Sequence, residues 1–220
     1  MKLKKPRFLL AALLICAATN SLAERYQDAH HAYQAGDYKT SVSILRELAN
    51  QDHIAAQFQL GTMYYEGKGV TRNYQEAIKW YLKAANQGLD VAQYNLGYMY
   101  QSGEGVSLNY QEAMKWYQKA ANQGNDRAQF DLGNLYASGR GAPVNYRLAT
   151  KLWRSAAEQG HVEAQFAMVD SYAYGQGVAQ SDEEAVKWWR KAAEQGHTKS
   201  QFNLGAKYQD GLGVPKNNIK

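Results

Sequence analysis

From residue 54 onward, small, polar and aromatic residues return at the same places every 36 positions. One column reads Ala56, Ala92, Ala128, Ala164 and Ser200. Next to it run Gln57, Gln93, Gln129, Gln165 and Gln201, then Phe58, Tyr94, Phe130, Phe166 and Phe202. A further column holds Tyr64, Tyr100, Tyr136, Tyr172 and Tyr208. Ala56, Leu60, Gly61 and Tyr64 have the three-and-four spacing of one helical face, and so do Tyr74, Ala77, Ile78, Tyr81, Ala84 and Ala85. Gly67-x-Gly69 separates the two stretches. Each period therefore predicts two helices and a turn. A fixed period of this size signals a stacked array in which each unit buries its apolar face on the next.

The boundaries are marked as well. Asn73-x-x-Glu76, Asn109-x-x-Glu112 and Ser181-x-x-Glu184 have the form of capping boxes at the start of each second helix. The third copy, Asn145-x-x-Leu148, lacks the acid. Gly88, Gly124, Gly160 and Gly196 follow the second helices, where a left-handed residue closes a helix. Gly61, Gly97, Gly133 and Gly205 sit where the paired helices need close approach, and Val169 interrupts that column. Leu152 likewise replaces the tryptophan found at Trp80, Trp116 and Trp188. Local repacking around the third and fourth repeats is expected.

The repeats fall at 54–89, 90–125, 126–161 and 162–197. An incomplete fifth runs from 198 to 220, ending near Asn217, the register equivalent of Asn73. Residues 24–53 form a shorter first pair with a compact turn at Ala32–Tyr38. The pattern predicts 11 helices. The last lacks a covering helix, so Phe202, Leu204 and Tyr208 are expected to be partly exposed and to offer a surface for self-association.

Residues 1–23 read differently. A basic start (Lys2, Lys4, Lys5, Arg7), an apolar run from Phe8 to Ala18 and small residues at Ser21 and Ala23 form a secretory signal pattern, with cleavage expected after Ala23. The run is too short to span a bilayer. Cys16, the single cysteine, follows Ile15, which is too large for a lipidation motif. The exported chain would then be free of disulfides and thiol chemistry. The expected location is periplasmic or secreted.

Particular motifs look like the Sel-one-like repeat (SLR) family, relatives of the tetratricopeptide repeat. They include Ala92-x-x-x-Leu96-Gly97-x-x-Tyr100, Gly103-x-Gly105-Val106 and Ala113-x-x-Trp116-Tyr117-x-Lys119-Ala120-Ala121-x-x-Gly124. The resemblance covers 54–220, while 24–53 looks more like an ordinary tetratricopeptide unit. It implies an all-α, right-handed superhelical α/α solenoid of helix-turn-helix repeats. It also implies a scaffold or adaptor role without shared enzyme activity.

Charge adds little. The formal net charge is +5, but Lys2, Lys4, Lys5 and Arg7 account for most of it, and all 20 acids lie beyond residue 23. A nucleic-acid footprint has no support. Hydrolase, phosphate-loop and β-lactamase motifs are missing, so neither catalysis nor a cofactor is expected. His53, His161 and His197 share a column, and equivalent atoms of adjacent repeats stand about 10 Å apart by helix packing, too far to share a zinc ion. They read as isolated surface residues. The lysine column Lys79, Lys115, Lys151 and Lys187 reads as a solvated face with weak ion pairs.

Packing columns must repeat, whereas a ligand face need not. The varying columns begin at Ala55, Gln59, Thr62 and Glu66, which make one stripe along the first helices. From it come the candidate partner-binding residues Asn95, Tyr98, Arg127, Asp131, Asn134, Asp170 and Tyr174. By resemblance to tetratricopeptide solenoids, this stripe faces the concave side. Its amides and tyrosines suit a peptide or protein segment. A cell-wall glycan stacking on Tyr98 and Tyr174 is the alternative. A β-lactamase-like envelope hydrolase is poorly supported.

Overall fold

The computed structural model describes the backbone of residues 7–210 and the side chains of residues 21–204. Cys16, Tyr208 and Asn217 lie outside the described side chains. Among the described residues the chain is all-helical: α1 (Arg7–Gln34), α2 (Tyr38–Asn50), α3 (Ile54–Glu66), α4 (Tyr74–Asn86), α5 (Asp90–Ser102), α6 (Tyr110–Asn122), α7 (Asp126–Ser138), α8 (Tyr146–Glu158), α9 (Val162–Tyr174), α10 (Asp182–Glu194) and α11 (Thr198–Asp210). Consecutive helices pack as pairs, the arrangement of a helical solenoid with a period of about 36 residues. No helix among the described residues is long and apolar enough to cross a membrane. The continuous α1 runs through the expected cleavage point at Ala23.

The chain divides into two compact units, residues 1–92 and 93–220. In the first, Ala29, Val42, Leu45, Leu48, Leu60, Met63 and Trp80 share one core. Ser41 is fully buried, and its hydroxyl donates to the Ala29 carbonyl at 2.9 Å, tying α1 to α2. In the second unit, Tyr117, Leu132 and Leu135 belong to one cluster, and Trp153, Met168, Val169 and Trp189 to another. Val169 is fully buried in this second cluster, while Leu152 lies against the first, which α6 and α7 share. Phe202 is 78% exposed on α11, whereas Leu204 packs against the fourth repeat.

In three of the four complete repeats, at Gly61, Gly97 and Gly133, the close helix pair is set by an absent side chain, and in the fourth Val169 takes that place. A Cβ on Gly97 would lie 2.5 Å from the Tyr117 ring, and one on Gly133 would lie 2.6 Å from Trp153. Glycine in a helix interior costs roughly 1 kcal/mol against alanine. The close seating of a large aromatic ring offsets that cost. The second glycine of three Gly-x-Gly turns, Gly69, Gly141 and Gly177, has another task. At Gly177 (φ 75) a Cβ would meet the Tyr146 carbonyl oxygen at 2.2 Å. The turn therefore rests on the start of the second helix of the preceding repeat.

The predicted capping boxes are half-built. Asn73 accepts from the Glu76 N–H at 3.0 Å, Asn109 from Glu112 at 3.1 Å and Ser181 from Glu184 at 3.2 Å. The reciprocal bond is missing because the cap residue's own N–H already donates to a tyrosine carbonyl, as from Asn73 to Tyr64 at 2.9 Å. The glutamates turn instead to Lys79, Lys115 and Lys187. This explains why Asn145-x-x-Leu148 works without an acid: Asn145 caps the Leu148 N–H at 3.0 Å.

Four members of the glutamine column, Gln57, Gln93, Gln129 and Gln165, are buried, and the column forms a repeated tie. Gln165 donates to the Ala157 carbonyl at 3.2 Å, near the end of α8. It accepts from the Gln195 amide, beyond the end of α10, at 2.9 Å. Gln57 and Gln129 make the equivalent bonds to Ala49 and Ala121, with Gln87 and Gln159 as donors to them.

Two substitutions test these constraints by urea denaturation. Gly97→Ala should lower stability by about 1–2 kcal/mol, overpacking outweighing the gain in helix propensity. Gln165→Leu should lower it by about 1 kcal/mol, because the buried Ala157 carbonyl keeps the Gly160 N–H but loses its side-chain donor, and the exposed Gln195 amide turns to water. Wild-type midpoints for both would remove the proposed roles of glycine and amide.

Candidate functional site

Helices α7, α9 and α11 are the first helices of successive repeats. Their aromatic column is only half buried at Phe130 and Phe166. The histidine column stacks on it. His161 lies 4.7 Å from Phe130, and His197 lies 5.1 Å from Phe166. These histidines are not isolated surface residues. His161 Nδ1 accepts from the Ala164 N–H at 3.2 Å, and His53 Nδ1 does the same for Ala56. Each thus caps a first helix, the task that Asn125 performs for α7. No cluster among the described residues could hold a metal ion.

Between these helices lies a groove of about 430 Å³. Phe130, Phe166, Ala167 and Trp153 supply apolar surface. Asn134, Glu163, Asp170, Gln176, His197 and Lys199 supply polar groups. Trp153 donates its indole N–H to Asn134 Oδ1 at 3.1 Å, fixing the ring beneath the groove. Asn134 also hydrogen-bonds Asp131, which accepts from the Tyr94 hydroxyl at 3.1 Å. A chain of polar contacts therefore runs from α5 through α7 to α8.

Burial pushes the Asp131 carboxyl above the ordinary range, against the opposing effects of Tyr94, His161 and Asn134. Burial also raises Asp170, opposed by the charge of Lys199. Tyr94 is raised as well, first by burial and then by the Asp131 charge. The groove therefore has a mixed character: aromatic surface, two carboxylates with access to a ligand, and one lysine. That set can hold an apolar side chain beside a basic one.

Of the seven candidate residues the groove brings two together, Asn134 and Asp170, and two further residues of the stripe, Glu163 and Ala167, line it with them. Asn95 is half buried, Arg127 is exposed, and Asp131 is half buried; none of these lines the groove. Tyr98 is 40% exposed and Tyr174 is 74% exposed, both outside it. Sequence reasoning missed Phe130, Phe166, Trp153 and Lys199. The repeated phenylalanine column looked like core, and its only distinguishing sign was aromatic rather than aliphatic character.

Five stretches, 54–89, 90–125, 126–161, 162–197 and 198–220, match the Sel1 repeat model. Among solved structures, the chain is similar to a protective antigen of uropathogenic Escherichia coli strains displaying an SLR fold. The identity is 33% and the TM-score 0.88, over 94% of this chain and 45% of that one. The chain thus spans less than half the length of that protein. It is also similar to a Sel1 repeat protein from Oxalobacter formigenes, 36% identical with a TM-score of 0.79, covering 87% and 78% of the two chains. An immunity protein from Pseudomonas aeruginosa, at 21% identity and a TM-score of 0.51 over 86% and 71%, shares the fold alone. A search of the curated proteins finds no match.

Asp131 provides a pH test. Its raised value means that the folded chain holds this proton more tightly than the unfolded chain. Ionised Asp131 therefore costs stability above its folded value, and the cost disappears as pH falls to the unfolded value of about 3.9. Asp131→Asn keeps an acceptor for Tyr94 and removes the charge. The variant should gain stability at about pH 7, and that gain should shrink by about pH 4.5. A gain independent of pH would show that burial of the charge is not the cause.

Proposed function

The chain belongs to the Sel1 repeat family, and from this we propose that it is a non-enzymatic protein–protein interaction scaffold of the bacterial cell envelope. Sel1 repeats build interaction scaffolds, and the family is generally non-catalytic. The observation that carries the finer reading is the groove between α7, α9 and α11. Its partner is an extended protein segment that presents an apolar side chain to Phe130 and Phe166. A neighbouring basic group meets Asp170 and Glu163. This is the face of the first helices, the concave one by likeness to tetratricopeptide solenoids. The partner segment continues along the exposed stripe residues Tyr98, Arg127 and Tyr174.

Export supports the envelope assignment. The basic, apolar and small-residue order of residues 1–23 fits a secretory signal, and the similar Escherichia coli protein is described as a protective antigen. A periplasmic or secreted location follows. The domain plan is a signal segment (1–23), a tetratricopeptide-like pair (24–53), four repeats (54–197) and a partial fifth (198–220). Exposed Phe202 is where a second copy would associate.

A peptide array of apolar and basic segments, probed with the exported chain, tests this reading. Ala167→Trp fills the groove from a half-buried position without touching the glutamine ties or the helix caps. Binding to wild type should fall at least about tenfold in this variant while its thermal midpoint holds. Equal binding by both proteins would remove the groove as the site. Binding to wall glycans instead of peptides would favour the tyrosine-stacking alternative.

A further inference from the structure

On three of the four complete repeats, the second helix neutralises or seats its own cations. Lys79 lies 3.2 Å from Glu76, Lys115 pairs with Glu112, and Lys187 lies 2.7 Å from Glu184. The next lysine covers a buried tryptophan: Lys83 over Trp80 at 4.5 Å, Lys119 over Trp116 at 3.8 Å and Lys191 over Trp188 at 4.4 Å. Helix α8 breaks both patterns together. Leu148 stands in the acid column, and Leu152 and Ser155 replace the tryptophan–lysine pair. Arg147 and Arg154 appear instead, flanking Lys151 at spacings of four and three on one helical face. The first three turns of α8 hold these three cations and no carboxylate.

The three cations line a cavity of about 580 Å³ that shares no lining residue with the groove described above. None of its lining residues is an acid. Its walls are held in place. Arg154 donates to the Tyr172 hydroxyl at 2.8 Å and lies 5.6 Å from that ring, which leaves further N–H donors on the guanidinium. Thr150 donates to the Gln176 carbonyl at 2.8 Å, joining α8 to the turn that carries Gly177 and Val178. Leu148, 39% exposed, and Val178 give the cavity an apolar side. Like charges one turn apart on a helix repel, and a bound anion relieves that repulsion.

We propose that this cavity binds a phosphoryl anion carried by a ligand with an apolar part. Two guanidinium forks and a lysine point charge suit the charge and oxygen geometry of a phosphoryl group. Leu148 and Val178 meet the rest of the ligand. A phospholipid headgroup and a soluble phosphorylated molecule share this chemistry.

The experiment uses pyrophosphate by titration calorimetry, and vesicles of phosphatidylglycerol or phosphatidylcholine by co-sedimentation. Arg147→Gln/Lys151→Gln is compared with Lys79→Gln/Lys115→Gln, which makes the same change in net charge. Arg154 is left intact to keep its bond to Tyr172. The first variant should lose at least about tenfold in affinity while the second keeps wild-type binding. Pyrophosphate binding would identify a soluble ligand, and selective binding to phosphatidylglycerol a headgroup. Equal loss in both variants would reduce the effect to general charge and overturn the site. So would failure of the wild type to bind either probe.

Discussion

The buried glutamine tie is the interaction on which the repeat architecture depends. A second helix ends with carbonyls that have no partner inside the helix. The first helix of the next repeat begins only a few residues later, and the glutamine that closes its first turn lies against that end. A primary amide can satisfy both needs at once. Gln165 donates to Ala157 and accepts from Gln195, so one side chain joins three helices without a buried charge. Glutamate could not donate, and leucine could do neither. With this register fixed, Gly97 comes to lie under Tyr117 and Gly133 under Trp153.

The same geometry changes how variable positions are understood. Thr62 and Asn134 occupy one variable column, and Tyr81 and Trp153 occupy one core column. They meet in hydrogen bonds: Tyr81 to Thr62 at 3.2 Å and Trp153 to Asn134 at 3.1 Å. A hydroxyl is met by a hydroxyl, and an indole N–H by a carbonyl oxygen. Part of the variation in the stripe therefore follows a change of partner beneath it. Asn134 serves the core and faces the groove at the same time.

The helix pairs, their turns and the second-helix caps were legible in the sequence because each rests on local rules of spacing and backbone chemistry. The side-chain partners were not. His161 looked isolated because two of its neighbours, the Ala164 N–H and the Phe130 ring, are a backbone group and a residue 31 positions earlier. The reciprocal half of the capping box failed because the Asn73 N–H finds Tyr64, a long-range competitor the motif does not contain. The groove was half seen. Asn134 and Asp170 stood out by varying, whereas Phe130 and Phe166 were hidden by their regularity. The α8 cavity was announced by Leu148, whose meaning depended on knowing that the glutamates of other repeats hold lysines.

The seating of three glycine turns on the helix one repeat earlier has a consequence for how such a molecule can change in length. Tyr38 supports Gly69, Tyr110 supports Gly141 and Tyr146 supports Gly177. Inserting a single residue between support and turn would misplace the glycine, the next glutamine and the next aromatic ring together. Adding a whole period would leave every support and its turn in register. The array is therefore quantised: it tolerates growth or loss by complete units. Each unit can bring its own groove wall and its own outer charge pattern, and new surfaces can be composed by arranging units without redesigning the joints between them.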